Sequence, residues 1–397
     1  MRNREQVTPL GVSIDAAEVA ELAASLIRIP TVPALYPQGE AEAVACLGEV
    51  LDREQIRYDV EEVSPGRPNL VIEMGERAGP ALWFNGHLDT VPIGNRLHWR
   101  HEPFGGDEVG GFLYGRGASD CKGGVAAMIH AAIALKRAGA RIPGRLIFSA
   151  VMGEEEGQIG MRRLLDRGMK ADGFVSTQWS TVGRVAISYR GLCWLEVTTT
   201  GRSAHGSRPA EGINAVEEMV SLVLPRLKNV RFPADADNPA AGPFVNLAAV
   251  NGGDVANVVP DTCRALLDYR ITPGQGTEPL LQEIERALDE LRLQHPALVV
   301  GTRVILRVEP TETDPGSPLV RVLADAIQLA TGTPPALFGK TGTGDANLVH
   351  ERLGIPAVAY GPGNDSGHRP DEYVAIQDLV SVAETYALLA LKFHEVA

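Results

Sequence analysis

Apolar residues recur at helical spacing over residues 14–30, at Val19, Leu22, Ala23, Leu26 and Ile27, before Pro30. That period predicts an amphipathic N-terminal helix closed by the proline. Residues 40–51 predict a second helix. Residues 69–74, stopped by Gly75, and the run Ala81, Leu82, Trp83, Phe84 read as buried strands, the second broken at Gly86. Residues 145–152 predict a further strand. A glycine-rich turn over 115–124 delivers Asp120 to the start of an apolar, alanine-rich helix. Beyond residue 190 the pattern alternates, with Trp194, Glu196 and Thr198 on one face. A helix near 214–228 and strands around Asn246 and Cys263 follow, then a helix over 319–330.

The 397 residues suggest about two domains. With 37 Lys and Arg against 50 Asp and Glu, the net charge of -13 argues against nucleic acid as a partner. It fits a soluble, cytoplasmic protein. Cys46, Cys121, Cys193 and Cys263 are scattered and form no CxxC pair, so neither a disulfide framework nor a zinc–thiolate site is indicated. The first residues lack the apolar core of a signal peptide, and no apolar run is long enough to span a membrane.

Polar residues gather where the apolar runs end. His87 and Asp89 follow one strand, two residues apart. A neutral imidazole binds metal, and a nearby carboxylate can fix its tautomer. Asp120 is either a helix N-cap or a carboxylate held at a loop tip. Glu154, Glu155 and Glu156 follow the strand over 145–152. They form either a solvated helix start or a set in which one carboxylate ligates and another acts as base.

The order HxDTVP, GRGxxDxKGG and EExGxxG resembles the metallohydrolase family of aminoacylase, glutamate carboxypeptidase, acetylornithine deacetylase and succinyl-diaminopimelate desuccinylase. The resemblance extends through Gly201–Pro209 around His205, through Asn257 and its neighbours, through the segment around Arg270, and through residues 354–372 around His368. It implies an α/β fold: a mixed-sheet catalytic domain covered by helices, with an inserted α+β lid and dimerisation domain. The boundaries it implies are 1–189 and 308–397 for the catalytic domain and 190–307 for the lid.

By the same resemblance His87 binds one metal, Asp120 bridges two, and Glu155 and His368 bind the second. These ligands suit zinc, manganese or cobalt. Asp89 orients His87, and Glu154 is the general base. His205 stabilises the oxyanion. Asn257, Arg270, Arg208 and Arg190 are candidates for gripping a substrate carboxylate. A cis peptide after Asp120 is implied. The partners implied are a small-molecule carboxylate substrate and a second copy of the chain, with neither nucleic acid nor membrane.

One position departs from the pattern. Most members of the family that the chain resembles carry an acidic ligand of the His87 metal where this chain has Gln178, followed by Trp179. An amide is a poorer ligand than a carboxylate. Three readings stay open: one metal with retained chemistry, two metals with the first held weakly, or a non-catalytic ligand-binding relative. The retained Glu154 favours the first. Arg369, Trp179 and Gln178 are placed in the substrate pocket. The expected reaction is hydrolysis of an amide in a small N-acyl amino acid or peptide. The alternative is hydrolytic deamination of an aromatic, amino acid-like substrate.

Overall fold

The computed structural model describes residues 6–7, 11–76, 78–178, 180–230 and 244–395. They divide into two compact units. The first comprises Met1–Ile187, Thr313–Gly339 and Gly344–Ala397; the second comprises Ser188–Glu312 with Lys340–Thr343. The second unit is thus an insertion in the first.

A mixed sheet forms the centre of the first unit. Strands Ala357–Ala359, Gly173–Ser176, Ala81–His87 and Arg145–Val151 lie side by side and parallel. Strands Arg67–Gly75 and Asp59–Ser64 continue the sheet in antiparallel pairing. Apart from Arg145, the residues of the parallel strands are buried, as a sheet covered on both faces requires. Their alternate residues separate into two sets. Leu82, Phe84, Leu146, Phe148, Ala150 and Val175 join one core with helices Ala16–Arg28, Lys122–Arg137, Pro318–Thr331 and Ile376–Lys392. Trp83, Asn85, His87 and Ser149 fall on the opposite face by the two-residue period.

The strand at Ala81 does not stop at Gly86 but continues to His87, bonded on one side to Arg145–Val151. Gly86 is there for space. A Cβ would lie 2.4 Å from Thr177 Oγ1 and 2.7 Å from Val125 Cγ2, so the bare backbone lets helix Lys122–Arg137 close on the strand. Helix Ala16–Arg28 starts where Asp15 accepts the N–H groups of Ala17 and Glu18.

The second unit is a four-stranded antiparallel sheet of Phe244–Gly252, Thr262–Ile271, Gly191–Thr200 and Val299–Val308. One face carries Cys193, Leu195, Val197, Ala265, Leu267 and Tyr269, packed with Leu280, Ile284 and Leu288 of helix Thr277–Gln294. The helix expected over 214–228 forms in pieces: it opens to a π turn over Met219–Val223 ahead of Pro225. Proline offers no N–H to the carbonyl four residues earlier. Among the described residues no helix is long and apolar enough to cross a membrane.

Candidate metal centre

His87, Asp120, Glu154, Glu155 and His368 all belong to the first unit. Parallel strands deliver the first and third of these groups, because the segments leaving their carboxyl ends emerge side by side. Each segment is then pinned by a buried acid. Asp89 is fully buried and accepts the N–H of Glu154 at 3.0 Å and of Glu155 at 2.9 Å. Glu372, also fully buried, accepts the N–H of Ser119 and of Asp120, both at 2.9 Å, and is ion-paired with buried Arg116. Glu40 accepts the N–H of Gly153 at 3.1 Å. Arg67 links Glu40 to Glu156, which it reaches at 2.6 Å. The Asp120–Cys121 peptide is cis.

The carboxylate of Asp120 lies between two imidazoles. Its Oδ1 is 3.2 Å from His87 Nε2 and its Oδ2 is 3.5 Å from His368 Nε2. His368 Nε2 is 2.7 Å from Glu155 Oε1. His87 Nδ1 is 3.0 Å from the backbone oxygen of Asp89, which can only accept, so Nδ1 carries a proton. A neutral His87 then turns a lone pair at Nε2 toward the Asp120 oxygen. Two acceptors at that separation call for a proton or a cation between them. Ligand atoms of Asp120, Glu155 and His368 lie within 4.8 Å of one another, as do those of His87, Glu154 and Glu155. Carboxylate oxygens with imidazole nitrogens are the donor set of a zinc- or manganese-type ion, and these residues fit one.

Burial drives the Glu154 carboxyl well above the usual carboxylate range; His87 opposes this, while the charges of Asp345, Glu155 and Asp89 add to it. His368 is held above its ordinary value chiefly by its bond to Glu155. Gln178 donates from Nε2 to Glu154 Oε1 at 2.7 Å. Asp345 stands on the same side of the sheet as His87, and burial pushes it up to about 6. A directed chain reaches it. Trp83 Nε1 donates to Ser149 Oγ at 2.7 Å, Ser149 donates to Asn85 Oδ1 at 2.6 Å, and Asn85 Nδ2 donates to Asp345 Oδ2 at 2.7 Å. Because indole only donates, the direction of every bond in the chain is fixed.

In the second unit, the segment carrying His205 lies against the segment carrying Asn257. The N–H of Gly206 donates to the Asn257 oxygen at 2.7 Å, and that of Val259 donates to the Ala204 oxygen at 2.9 Å. His205 is exposed, with Nδ1 2.8 Å from Ser207 Oγ. Arg208 is exposed beside Glu211. Arg270 is paired along its strand with Asp268 at 2.9 Å.

The residues expected from sequence therefore fall into two groups. The first unit brings together His87, Asp89, Asp120, Glu154, Glu155, Gln178 and His368, with Arg369 exposed next to His368. The second holds His205, Arg208, Asn257 and Arg270. Trp179 lies outside the described residues. Asp89 differs in detail from its expected role: its carboxylate is 3.6 Å from His87 Nδ1, and its shorter bonds go to the N–H groups of Glu154 and Glu155. Sequence reasoning missed Glu40, Arg67, Arg116, Glu372 and Asp345. Two of these sit in quoted motifs, Arg116 in GRGxxDxKGG and Glu372 four residues after His368, at the end of the segment 354–372.

The sequence model of peptidase family M20/M25/M40 matches residues 83–392. The chain is 33% identical over 392 residues to a succinyl-diaminopimelate desuccinylase of Methylobacterium radiotolerans, covering 92% of this chain and 94% of that protein. In fold it is similar to a tripeptidase of Staphylococcus aureus, with a TM-score of 0.78 and 19% identity over 96% of this chain and 99% of the other. It is also similar to a dinuclear metal-binding M20 peptidase of Bacillus subtilis, with a TM-score of 0.73 and 16% identity over 96% and 99% of the two chains.

Proposed function

Because the chain belongs to peptidase family M20/M25/M40, we propose that its metal-dependent hydrolysis of C–N bonds uses one divalent ion, Glu154 as general base, and a small N-acyl amino acid or peptide as substrate. The observation that carries this reading is the 2.7 Å bond from Gln178 Nε2 to Glu154 Oε1. It directs the residue at the altered ligand position toward the base.

In this reading Asp120, Glu155 and His368 hold the ion, with His87 beside them on the other oxygen of Asp120. A divalent ion bound there supplies Lewis-acid polarisation of the scissile carbonyl and acidifies water. Glu154 takes a proton from the attacking water and gives it to the nitrogen as the C–N bond breaks, so the base is restored with each turnover. Asp89 keeps Glu154 and Glu155 in register by holding both of their N–H groups. Glu372 does the same for Asp120.

The roles of His205 at the oxyanion, and of Asn257, Arg270, Arg208 and Arg369 at a substrate carboxylate, rest on their motifs and on the fit of guanidinium to carboxylate. The likeness to a desuccinylase supports an acidic N-acyl substrate. The same reading takes residues 190–307 as a lid and dimerisation domain of a cytoplasmic homodimer, which sedimentation of the purified chain tests.

The test of the reaction is a screen of N-acyl amino acids and dipeptides, with the enzyme stripped by chelator and restored by zinc, manganese or cobalt. Metal-restored release of a free amine is expected. Turnover that survives chelation, or release only of ammonia from aryl amines, contradicts the reading.

A further inference from the structure

Gln178 is buried, and its two amide atoms have unlike surroundings. Nε2 donates to Glu154, while Oε1 is buried and has no hydrogen-bond partner among the described residues. An ionised Glu154 can only accept, so this orientation of the amide is the one that suits the base. The carbonyl end lies against Gly344. A Cβ on Gly344 would be 2.1 Å from Gln178 Oε1, 3.0 Å from Cδ and 3.2 Å from Nε2; its three nearest atoms all belong to that one side chain. Gly344 has an extended backbone with φ of -174°, which any residue adopts, so the glycine serves space and not conformation. The next residue, Asp345, begins helix Asp345–Leu353 and is tied to the sheet through Asn85. Gly344 is therefore held at a fixed place beside the amide.

We propose that Gln178 is a positioning residue for Glu154, and that Gly344 provides the space in which the Gln178 amide turns toward the base. Residues 154, 178 and 344 act as one unit in which position 178 serves the general base. This rests on the reading of Glu154 as base for its meaning in catalysis, but the geometry is testable without it. Because the three atoms nearest the added Cβ are the far end of one flexible side chain, Gly344→Ala displaces the amide and spares the fold.

The experiment uses the full chain labelled with 15N, with the side-chain amide of Gln178 assigned by its loss in Gln178→Ala. The bonded amide proton is expected far downfield, as for a donor to a carboxylate. It moves toward the position of a free amide in Glu154→Ala and moves in the same direction in Gly344→Ala. With a substrate found in the screen above, Gln178→Ala and Gly344→Ala each lower kcat about tenfold and leave KM unchanged, as expected for one lost charge-assisted bond. The double variant falls no further than Gln178→Ala, since the glycine matters only while the amide is present. An unmoved amide proton in Gly344→Ala overturns the proposal, and so do losses that multiply to about a hundredfold in the double variant. If Gly344→Ala fails to fold, folding of the double variant still supports the steric link; failure of both contradicts it. A chain with no hydrolytic activity contradicts the proposed function, while the amide spectrum still decides this inference.

Discussion

Asp89 accepts the backbone N–H of Glu155 at 2.9 Å, so the loop that carries one candidate ligand is hung from the loop that carries another. Its other oxygen takes the N–H of Glu154 at 3.0 Å. Both donors belong to part-buried residues, and an N–H left unpaired away from water costs about 1–3 kcal/mol. Asp89→Ala is expected to lower stability by roughly 2–4 kcal/mol and to loosen Glu154 and Glu155 together. Asp89→Asn retains one acceptor and loses less. Urea unfolding with metal titration checks this; equal losses in the two variants would show that the acceptors are not what holds the loop.

Glu154→Ala should abolish most turnover, by a factor of about 100 to 10,000, while leaving the ion bound through Asp120, Glu155 and His368. Kinetics together with elemental analysis separate the two effects. Loss of the ion in this variant would make Glu154 a ligand and not a base.

Arg116 and Glu372 form a fully buried ion pair beneath Asp120. Removing one partner of such a pair costs about 3–5 kcal/mol, because the other charge is stranded. Arg116→Ala is expected to lose that much stability. Glu372→Gln, which keeps an oxygen for the N–H groups of Ser119 and Asp120, is expected to fold but to bind metal more weakly. Chemical denaturation and metal titration read the two outcomes. Metal affinity unchanged in Glu372→Gln would show that the charge of Glu372, as distinct from its oxygen, adds nothing to the support of Asp120.

The C-terminal helix Ile376–Lys392 buries Glu384, and burial alone raises its carboxyl to about 7. The folded-state value lies above the unfolded one, so folding is penalised once the group ionises. The penalty is absent below about pH 4.5 and complete above about pH 7. Glu384→Gln should therefore stabilise the chain by roughly 1–2 kcal/mol above pH 7, after allowance for solvent screening, and by nothing at pH 4. Thermal unfolding at both pH values tests the sign; a gain larger at pH 4 than at pH 8 would refute it.

Much of the fold is legible in the sequence because its signals are local. The period of Val19, Leu22, Ala23, Leu26 and Ile27 and the following Pro30 give helix Ala16–Arg28 directly. The apolar runs give the central parallel strands. Gly86 misleads, since a local reading takes glycine as a breaker while here it admits a neighbouring helix. The candidate ligands are legible through motifs. Their supports are not: Glu372 meets Asp120 across 252 residues and Glu40 meets Gly153 across 113, and no local period encodes such pairs. Gln178 is legible as a missing carboxylate. Its bond to Glu154 and its dependence on Gly344 arise only when three distant segments meet.

The number of metal ions bound per chain decides between one-ion and two-ion chemistry. Purified protein, dialysed and analysed for metal alongside Gln178→Glu, is expected to hold one tightly bound ion needed for turnover. The variant, with a carboxylate at the position where the family resemblance implies a ligand of the His87 metal, is expected to hold two. Two tightly bound ions in the unaltered protein would contradict the single-ion account and return position 178 to the ligand set.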